Sequence, residues 1–207
     1  MTPGKFIVFE GIDGSGKTTQ IKLLAQLLEK RGRPVLCTRE PGGTDIGKRL
    51  RAMLLDPACR DMTRRTEAFL YAADRAQHVT EKILPALRRG DTVLCDRFIY
   101  STLAYQGGGR GLGGDFLARL NELATAGLEP DAVILLDLPV EDSISRVLGD
   151  RSPDRLEAEK SDFFRQVRRG YLEQAAQWPR LFKVVLAGAE VEEVHRSVLA
   201  SLQQVLA

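Results

Sequence analysis

The sequence predicts an α/β fold in which helices cover both faces of a five-stranded parallel sheet. Short apolar runs alternate with longer segments of helical period along the 207 residues. Such alternation is typical of right-handed crossovers between parallel strands. The apolar runs lack polar alternation, which indicates strands buried on both faces. A chain of this length has room for one such core, so we expect a single domain over residues 1–207.

Five apolar runs are predicted to be the strands. They are Phe6–Glu10, Val35–Thr38, Thr92–Asp96, Ala132–Leu138 and Leu181–Leu186. Cys37 and Cys95 fall inside two of these runs, and with Cys59 they form no CxxC pair. We therefore expect Cys37 and Cys95 to be small core residues in a reducing cytosol.

Two long helices are predicted between the strands. Residues 17–32, KTTQIKLLAQLLEKRG, have a helical apolar period and end at Gly32, a favoured stop. Residues 64–90, RRTEAFLYAADRAQHVTEKILPALRRG, predict a longer helix that Pro85 kinks. Three stretches resist regular assignment, namely Arg39–Gly47, Tyr105–Asp115 and Leu148–Glu157. Loops beyond the carboxyl ends of parallel strands commonly hold ligands, although ordinary surface connections are the alternative.

The composition argues against several classes of function. The formal net charge is +2, close to balance, so the sequence indicates neither a nucleic-acid-binding nor a membrane-surface protein. No stretch approaches the ~20 apolar residues that span a bilayer, and no signal-peptide pattern opens the chain. We therefore expect a cytoplasmic protein. His78 and His195 are too isolated in the sequence to suggest a metal site.

Residues 11–18, GIDGSGKT, match the phosphate-binding pattern G-x-x-x-x-G-K-[ST] between the first predicted strand and the first helix. Glycines let backbone N–H groups turn toward phosphate oxygens, and the helix N-terminus adds positive charge. Lys17 is expected to bridge the β- and γ-phosphates, and the Thr18 hydroxyl to bind Mg²⁺. The full set of loop residues is Gly11, Ile12, Asp13, Gly14, Ser15, Gly16, Lys17 and Thr18. The motif predicts binding of a nucleoside triphosphate with Mg²⁺.

This loop leaves the reaction open, because guanine-nucleotide switches use it as kinases do. Switches read guanine with an N-K-x-D segment, and no such tetrapeptide occurs in the chain. Its absence favours a kinase.

A second motif, LCDRFIYSTLAYQG, follows the third predicted strand. Asp96 can hold Mg²⁺ through water and Arg97 can grip an acceptor phosphate, with a structural ion pair as the alternative. Tyr71 and Arg75 are four residues apart on one helix face, so a ring and a planar donor can meet one base. Ordinary packing beside a solvated charge is the alternative there.

Several motifs, in the expected order and over nearly the whole chain, resemble thymidylate kinases. These P-loop nucleoside monophosphate kinases convert dTMP to dTDP with ATP. The motifs are FEGIDGSGKTTQ, TREPGGT, AFLYAADRAQH and DRFIYSTLAYQGGGRG. The last matches the family signature D-R-[FYH]-x-x-S-[ST]-x-A-Y-Q throughout. The resemblance implies a P-loop NTPase fold and a dTMP kinase of dTTP biosynthesis that uses ATP with Mg²⁺. A P-loop kinase for another monophosphate or a small metabolite is the alternative, and it would lack that signature.

The resemblance also implies roles on the phosphate side. Asp13 is expected to bond the deoxyribose 3′-hydroxyl or its neighbouring water and metal. Arg51 and Arg97 are expected to hold the dTMP phosphate, with Glu40 and Pro41 lining that side. Asp13, Lys17 and Arg97 are thus candidate catalytic residues, because a dianionic phosphate favours arginine.

On the base side, the resemblance implies that Tyr71 stacks on thymine and that Arg75 donates to its O4 edge. Thr102 and Gln106 are expected to complete the polar contacts to the base. Tyr105 is expected beneath the sugar, where its bulk crowds the place of a ribonucleotide 2′-hydroxyl.

Some thymidylate kinases carry an arginine where this chain has Gly14, and those that lack it supply arginines from a mobile lid. The stretch RVLGDRSPDRLE resembles that lid, which we place at about residues 148–157. We expect the lid to close over ATP and to bring one or both of Arg151 and Arg155 to the γ-phosphate only in the closed state. Pairing with Asp150 and Asp154 in a solvated loop is the alternative.

Thymidylate kinases are homodimers, which makes the predicted long helix over residues 64–89 a plausible contact surface. An apolar stripe on a helix serves packing within one chain equally well.

Overall fold

The computed structural model describes residues 4–147 and 154–206. Its strands form one parallel sheet in the order β2-β3-β1-β4-β5. The strands are β1 (Phe6–Glu10), β2 (Val35–Arg39), β3 (Thr92–Asp96), β4 (Ala132–Asp137) and β5 (Phe182–Leu186). Each boundary lies within one residue of its predicted position. The predicted five-stranded parallel sheet is confirmed.

Helices lie on both faces of the sheet. They are α1 (Lys17–Lys30), α2 (Asp45–Leu55), α3 (Arg64–His78), α4 (Leu84–Arg88), α5 (Ile99–Thr102), α6 (Gly114–Thr125), α7 (Val140–Val147), α8 (Ser161–Gln177) and α9 (Val191–Leu206). Alternate residues of β1 enter two separate apolar clusters. Phe6 and Val8 pack with residues of α8, whereas Ile7 and Phe9 pack with residues of α1 and α9. None of the helices in the described ranges combines the length and apolarity needed to cross a bilayer.

The prediction that every strand is buried on both faces is wrong for the two outer strands. The inner strands β1, β3 and β4 are almost entirely buried, but β2 and β5 are partly exposed. An edge strand has a neighbour on one side only, and here its side chains reach solvent. Cys95 is a core residue as expected, whereas Cys37 on β2 is exposed.

The predicted long helix is interrupted rather than simply kinked. Between α3 and α4 the backbone makes a π-helical turn over Val79–Ile83, and Pro85 stands in the first turn of α4. Proline has no N–H to donate to the carbonyl four residues earlier, and a wider turn accommodates that missing bond.

The glycine-rich stretch that resisted assignment is largely helical. A π-helical segment, Leu103–Gly109, continues α5 directly. A Cβ atom on Gly109 would lie 2.4 Å from the ring of Phe163, and one on Gly108 would lie 3.1 Å from the Gln166 carbonyl. Both partners belong to α8. These glycines therefore permit close packing of two helices, instead of forming a loop.

Candidate active site

The sheet topology brings the two sequence motifs together. β1 and β3 are neighbours, with Phe9 paired to Asp96. The Arg97 backbone N–H donates to the Phe9 carbonyl at 2.9 Å. The phosphate-binding loop after β1 and the Asp96–Arg97 pair after β3 therefore lie side by side at the carboxyl edge, where parallel sheets bind ligands.

The phosphate-binding loop turns through positive-φ glycines. Gly11 (φ 138°) and Gly16 (φ 88°) adopt backbone conformations that L side chains rarely enter, and a Cβ on Gly11 would lie 2.5 Å from the Leu136 carbonyl. The buried Lys17 ammonium donates to the carbonyls of Gly11 and Ile12, at 3.1 and 3.0 Å. Ile12 itself lies in the core beneath the loop. Burial, and then Arg97, lower the pKa of Lys17.

Thr18 and Asp96 place two oxygen groups together beside Lys17. The Thr18 hydroxyl donates to Asp96 Oδ2 at 3.2 Å, and both residues line the cleft above the loop. A hydroxyl and a carboxylate are hard oxygen donors of the kind that Mg²⁺ prefers. The two side chains thus fit the predicted magnesium site.

Arg97 joins the loop to the acceptor side. Its φ of 71° is unusual for a residue other than glycine. Its Nη2 donates to Asp13 Oδ1 at 2.8 Å and to the Tyr105 hydroxyl at 3.1 Å, and the guanidinium lies over the Tyr105 ring. Burial opposes ionisation of Asp13, but Arg97 and Lys17 hold the pKa of this carboxyl below its ordinary value. The site therefore contains a fixed cation beside an ionised carboxylate.

Every residue predicted to contact the substrate lines one cavity. They are Asp13, Glu40, Pro41, Arg51, Tyr71, Arg75, Arg97, Thr102, Tyr105 and Gln106. Asp13, Glu40, Arg51 and Arg97 also line the cleft above the phosphate-binding loop. The two cavities therefore adjoin, with two arginines at their junction.

Arg75, on the wall of the same cavity, is nearly inaccessible, with 1% of its surface exposed. Its guanidinium donates to Glu40 Oε2 (2.8 Å), Thr102 Oγ1 (3.1 Å), Asn121 Oδ1 (2.9 Å) and the Phe98 carbonyl (3.0 Å). Within the described ranges, these bonds leave one Nη2 hydrogen without a protein acceptor. Arg75 is therefore not a solvated charge, because these bonds fix its guanidinium at the wall of the cavity.

Glu67 forms a second buried cluster beside the cavity. It accepts from Gln106 Nε2 at 2.8 Å, from Arg110 and from Arg155 Nη2 at 2.6 Å. Burial opposes ionisation, but these donors hold the pKa of Glu67 below its ordinary value. None of these contacts could be read from sequence spacing, since Glu67 and Arg155 are 88 residues apart.

Arg155, a predicted lid arginine, makes its described bonds away from the phosphate-binding loop. Its Nε donates to the Leu54 carbonyl at 2.8 Å and its Nη2 to Glu67, so it faces α2 and α3 and does not line the cleft above the phosphate-binding loop. Glu67 offers a buried carboxylate, which explains this placement. Arg151 lies outside the described residues, as does most of the predicted lid. The reach of either arginine to the γ-phosphate stays a prediction.

A different arginine lines the cleft instead. Arg146, on α7, donates through Nη1 to the carbonyls of Gly14 (3.3 Å) and Ala187 (3.2 Å). Arg39, at the end of β2, lines the same cleft. Neither residue is among those predicted from the sequence to bind a substrate. The available signals were the position of Arg146 at the start of the stretch that resembles a lid and that of Arg39 at the start of a stretch that resists regular assignment.

Comparison with known proteins gives a consistent result. A family model described as thymidylate kinase matches residues 9–198. A thymidylate kinase of Pelotomaculum thermopropionicum is 53% identical over 204 residues, which cover 98% of this chain and 94% of the relative. One from Desulforudis audaxviator is 52% identical, with 98% and 92% covered, and one from Cupriavidus metallidurans is 47% identical, with 99% and 98% covered.

Proposed function

Because the chain belongs to the thymidylate kinase family, we propose that its two adjoining cavities hold the two substrates of the family's reaction. The protein is a dTMP kinase of nucleotide biosynthesis, and the family implies ATP as its co-substrate. The main support for placing one substrate in each cavity is that the two cavities share lining residues. Asp13, Arg51 and Arg97 line both the cavity that also contains Tyr71 and Arg75, here named the acceptor cavity, and the cleft above the phosphate-binding loop.

The acceptor cavity holds dTMP in this proposal, with its phosphate at the junction. Arg51 and Arg97 supply guanidinium groups whose geometry matches a phosphate. At the other end, Tyr71 offers an aromatic face for thymine. Arg75 offers its remaining Nη2 hydrogen to the base, and its fixed orientation supports recognition of one hydrogen-bonding edge.

The cleft above the phosphate-binding loop holds ATP. Lys17 and the backbone of the loop bind the phosphates, and Thr18 and Asp96 would hold Mg²⁺. When bound, Mg²⁺ neutralises charge on the β- and γ-phosphates. Arg146 and Arg39 add positive charge to this cleft from within the described structure.

The reaction needs positioning more than proton transfer. An oxygen of the dTMP phosphate attacks the γ-phosphorus, a new P–O bond forms, and the bond to the β-phosphate oxygen breaks, leaving ADP. The attacking phosphate is already ionised at neutral pH, so no strong base is required. Lys17 and Arg97 stabilise the charge that passes between the two phosphates.

We further propose that the single domain works as a cytoplasmic homodimer. Large apolar side chains are exposed on three adjacent helices, with Met53 on α2, Phe69 on α3 and Leu123 on α6. Phe69 also contacts the ring of Phe116 on α6. Exposed apolar patches of this kind are typical of protein interfaces, and this one includes the helix that the sequence predicted.

The substrate assignment is tested by ADP release from ATP with dTMP, dUMP, UMP, dCMP, AMP and GMP as acceptors, with and without Mg²⁺. We expect the highest kcat/KM for dTMP and dependence on the metal. A higher kcat/KM for any other monophosphate would overturn the assignment and favour the alternative of a different P-loop kinase.

A further inference from the structure

Glu10, the last residue of β1, is a fully buried carboxylate that lines neither of the two cavities. A buried charge without partners is strongly destabilising. Glu10 instead accepts from the backbone N–H groups of Phe98 (2.9 Å) and Ser101 (3.1 Å), from the Ser101 hydroxyl (2.6 Å) and from the Tyr171 hydroxyl (2.8 Å). Two of the donor residues, Phe98 and Ser101, follow Arg97 in the chain, and the third, Tyr171, lies on α8.

The backbone bonds fix the unusual conformation of Arg97. Its own N–H donates to the Phe9 carbonyl, and the next N–H, of Phe98, donates to Glu10. The peptide groups on both sides of Arg97 are thus bonded to consecutive residues of β1. A residue other than glycine keeps a left-handed backbone only where neighbouring bonds hold it in that conformation, and these two bonds hold Arg97.

The hydroxyl bonds fix the guanidinium. Arg97 Nη1 donates to the Ser101 hydroxyl at 3.2 Å and to the Tyr171 hydroxyl at 3.1 Å. The two hydroxyls lie within hydrogen-bond distance of Glu10 Oε2 and, at 2.8 Å, of each other, and a hydroxyl oxygen that donates its one proton can still accept from Arg97. With Nη1 held in this way, Nη2 faces Asp13 and Tyr105 at the junction of the cavities.

We propose that Glu10 is the positioning residue of Arg97. It holds the left-handed backbone directly and orients the guanidinium through the hydroxyls of Ser101 and Tyr171. The inference rests on the proposed role of Arg97 in holding the dTMP phosphate. A purely structural Glu10 would affect stability alone, whereas a positioning residue affects dTMP turnover through Arg97.

The test is a double-mutant cycle between Tyr171→Phe and Arg97→Ala. Tyr171→Phe keeps the buried ring and removes only its hydroxyl, which is one of the two that orient Nη1 of Arg97. We expect it to lower kcat/KM for dTMP about tenfold, the scale for one hydrogen bond to a charged group, with the KM for ATP within about twofold of the parent. In the Arg97→Ala background, the same change is expected to have less than about a twofold effect.

Two further variants complete the test. Glu10→Gln replaces one of the two carboxylate oxygens with an NH2 donor and removes the negative charge, so it cannot accept both the backbone and the hydroxyl bonds, and it is expected to lower kcat/KM for dTMP more than Tyr171→Phe does. Tyr100→Phe is the control, since Tyr100 is also buried and its hydroxyl bonds neither Glu10 nor Arg97 in the described structure. It is expected to match the parent.

The results distinguish the positioning role of Glu10 from the proposed role of Arg97 in holding the dTMP phosphate. Equal effects of Tyr171→Phe in the parent and in Arg97→Ala, or no effect in the parent, would overturn the positioning role alone. An Arg97→Ala enzyme with unchanged kcat/KM for dTMP would overturn the proposed role of Arg97, and the positioning role with it.

Discussion

Arg155 Nη2 and Glu67 Oε2 lie 2.6 Å apart, in an ion pair whose side chains are only 8% and 1% exposed. The pair fastens residues 154–159 to α3. Glu67 also accepts from Gln106, which lines the acceptor cavity, so the pair joins a residue of the predicted lid to the wall of that cavity.

Arg155→Ala is expected to lower the free energy of unfolding by about 3 kcal/mol, because it leaves a buried carboxylate short of one cation. It is also expected to raise the KM for dTMP more than the KM for ATP, since Glu67 orients Gln106. Urea unfolding and steady-state kinetics measure the two effects. Arg165→Ala removes exposed pairs with Glu141 on α7 and Asp162 on α8, and its free energy of unfolding is expected to stay within about 0.5 kcal/mol of the parent. A large fall in kcat with unchanged dTMP KM would indicate instead that Arg155 acts at the γ-phosphate.

The strands and the phosphate-binding loop could be predicted from the sequence, because each depends on local pattern or on a contiguous motif. The residues that line the acceptor cavity could be named together because they lie in contiguous motifs that resemble those of thymidylate kinases. The partner of Arg155 could not, since a pair 88 residues apart depends on how α2 and α3 pack. Exposure of Cys37 depends on which strands are outermost, which periodicity does not encode. The glycines at 107–109 do not reveal a helix in the sequence, because glycine is common both in turns and where helices pack closely.

Tyr105 is predicted to exclude ribonucleotides by its bulk rather than through its hydroxyl. Tyr105→Ala makes room for a 2′-hydroxyl and is expected to lower the preference for dTMP over its ribonucleotide counterpart by about tenfold. Tyr105→Phe loses only the bond from Arg97 and serves as the matched variant, expected to retain the preference. The ratio of kcat/KM values for the two nucleotides is measured for each enzyme. Loss of preference in Tyr105→Phe would show that the hydroxyl makes the selection.

Asp74 is predicted to make stability depend on pH. Burial, and then Glu40, raise the pKa of this carboxyl from 3.8 to about 6, and its Oδ2 has no hydrogen-bond partner among the described residues. A raised pKa means that the folded state favours the protonated form. The stabilisation is therefore present in full below about pH 4 and is lost as the pH rises through about 6.

Asp74→Asn removes this titration and still accepts the N–H of Gly42. Relative to the parent, its free energy of unfolding is expected to rise by about 1 kcal/mol between about pH 5 and pH 7.5. Urea unfolding at both pH values measures it, with Asp115→Asn as an exposed control. A difference between parent and Asp74→Asn that does not change with pH would contradict the prediction.

The apolar surface of α2, α3 and α6 is predicted to be the dimer interface. A lysine in place of Leu123 buries an unpaired charge there, so Leu123→Lys is expected to shift the enzyme toward monomers. Leu186→Lys places the same charge on β5, at a site 75% exposed, and is expected to leave the dimer intact. Sedimentation velocity distinguishes the two. A parent enzyme that sediments as a monomer, or a dimer broken only by Leu186→Lys, would contradict this surface.

The most direct test of the account is the binding of a single molecule that carries both substrates, adenosine and deoxythymidine joined at their 5′ positions through a chain of phosphates. The two cavities adjoin at Asp13, Arg51 and Arg97, so one such molecule is expected to fill both. We predict that it competes with ATP and with dTMP, and that it binds at least about a hundredfold more tightly than either. Competition with only one substrate, or an affinity no better than that of ATP alone, would contradict the claim that the cavities form one continuous site.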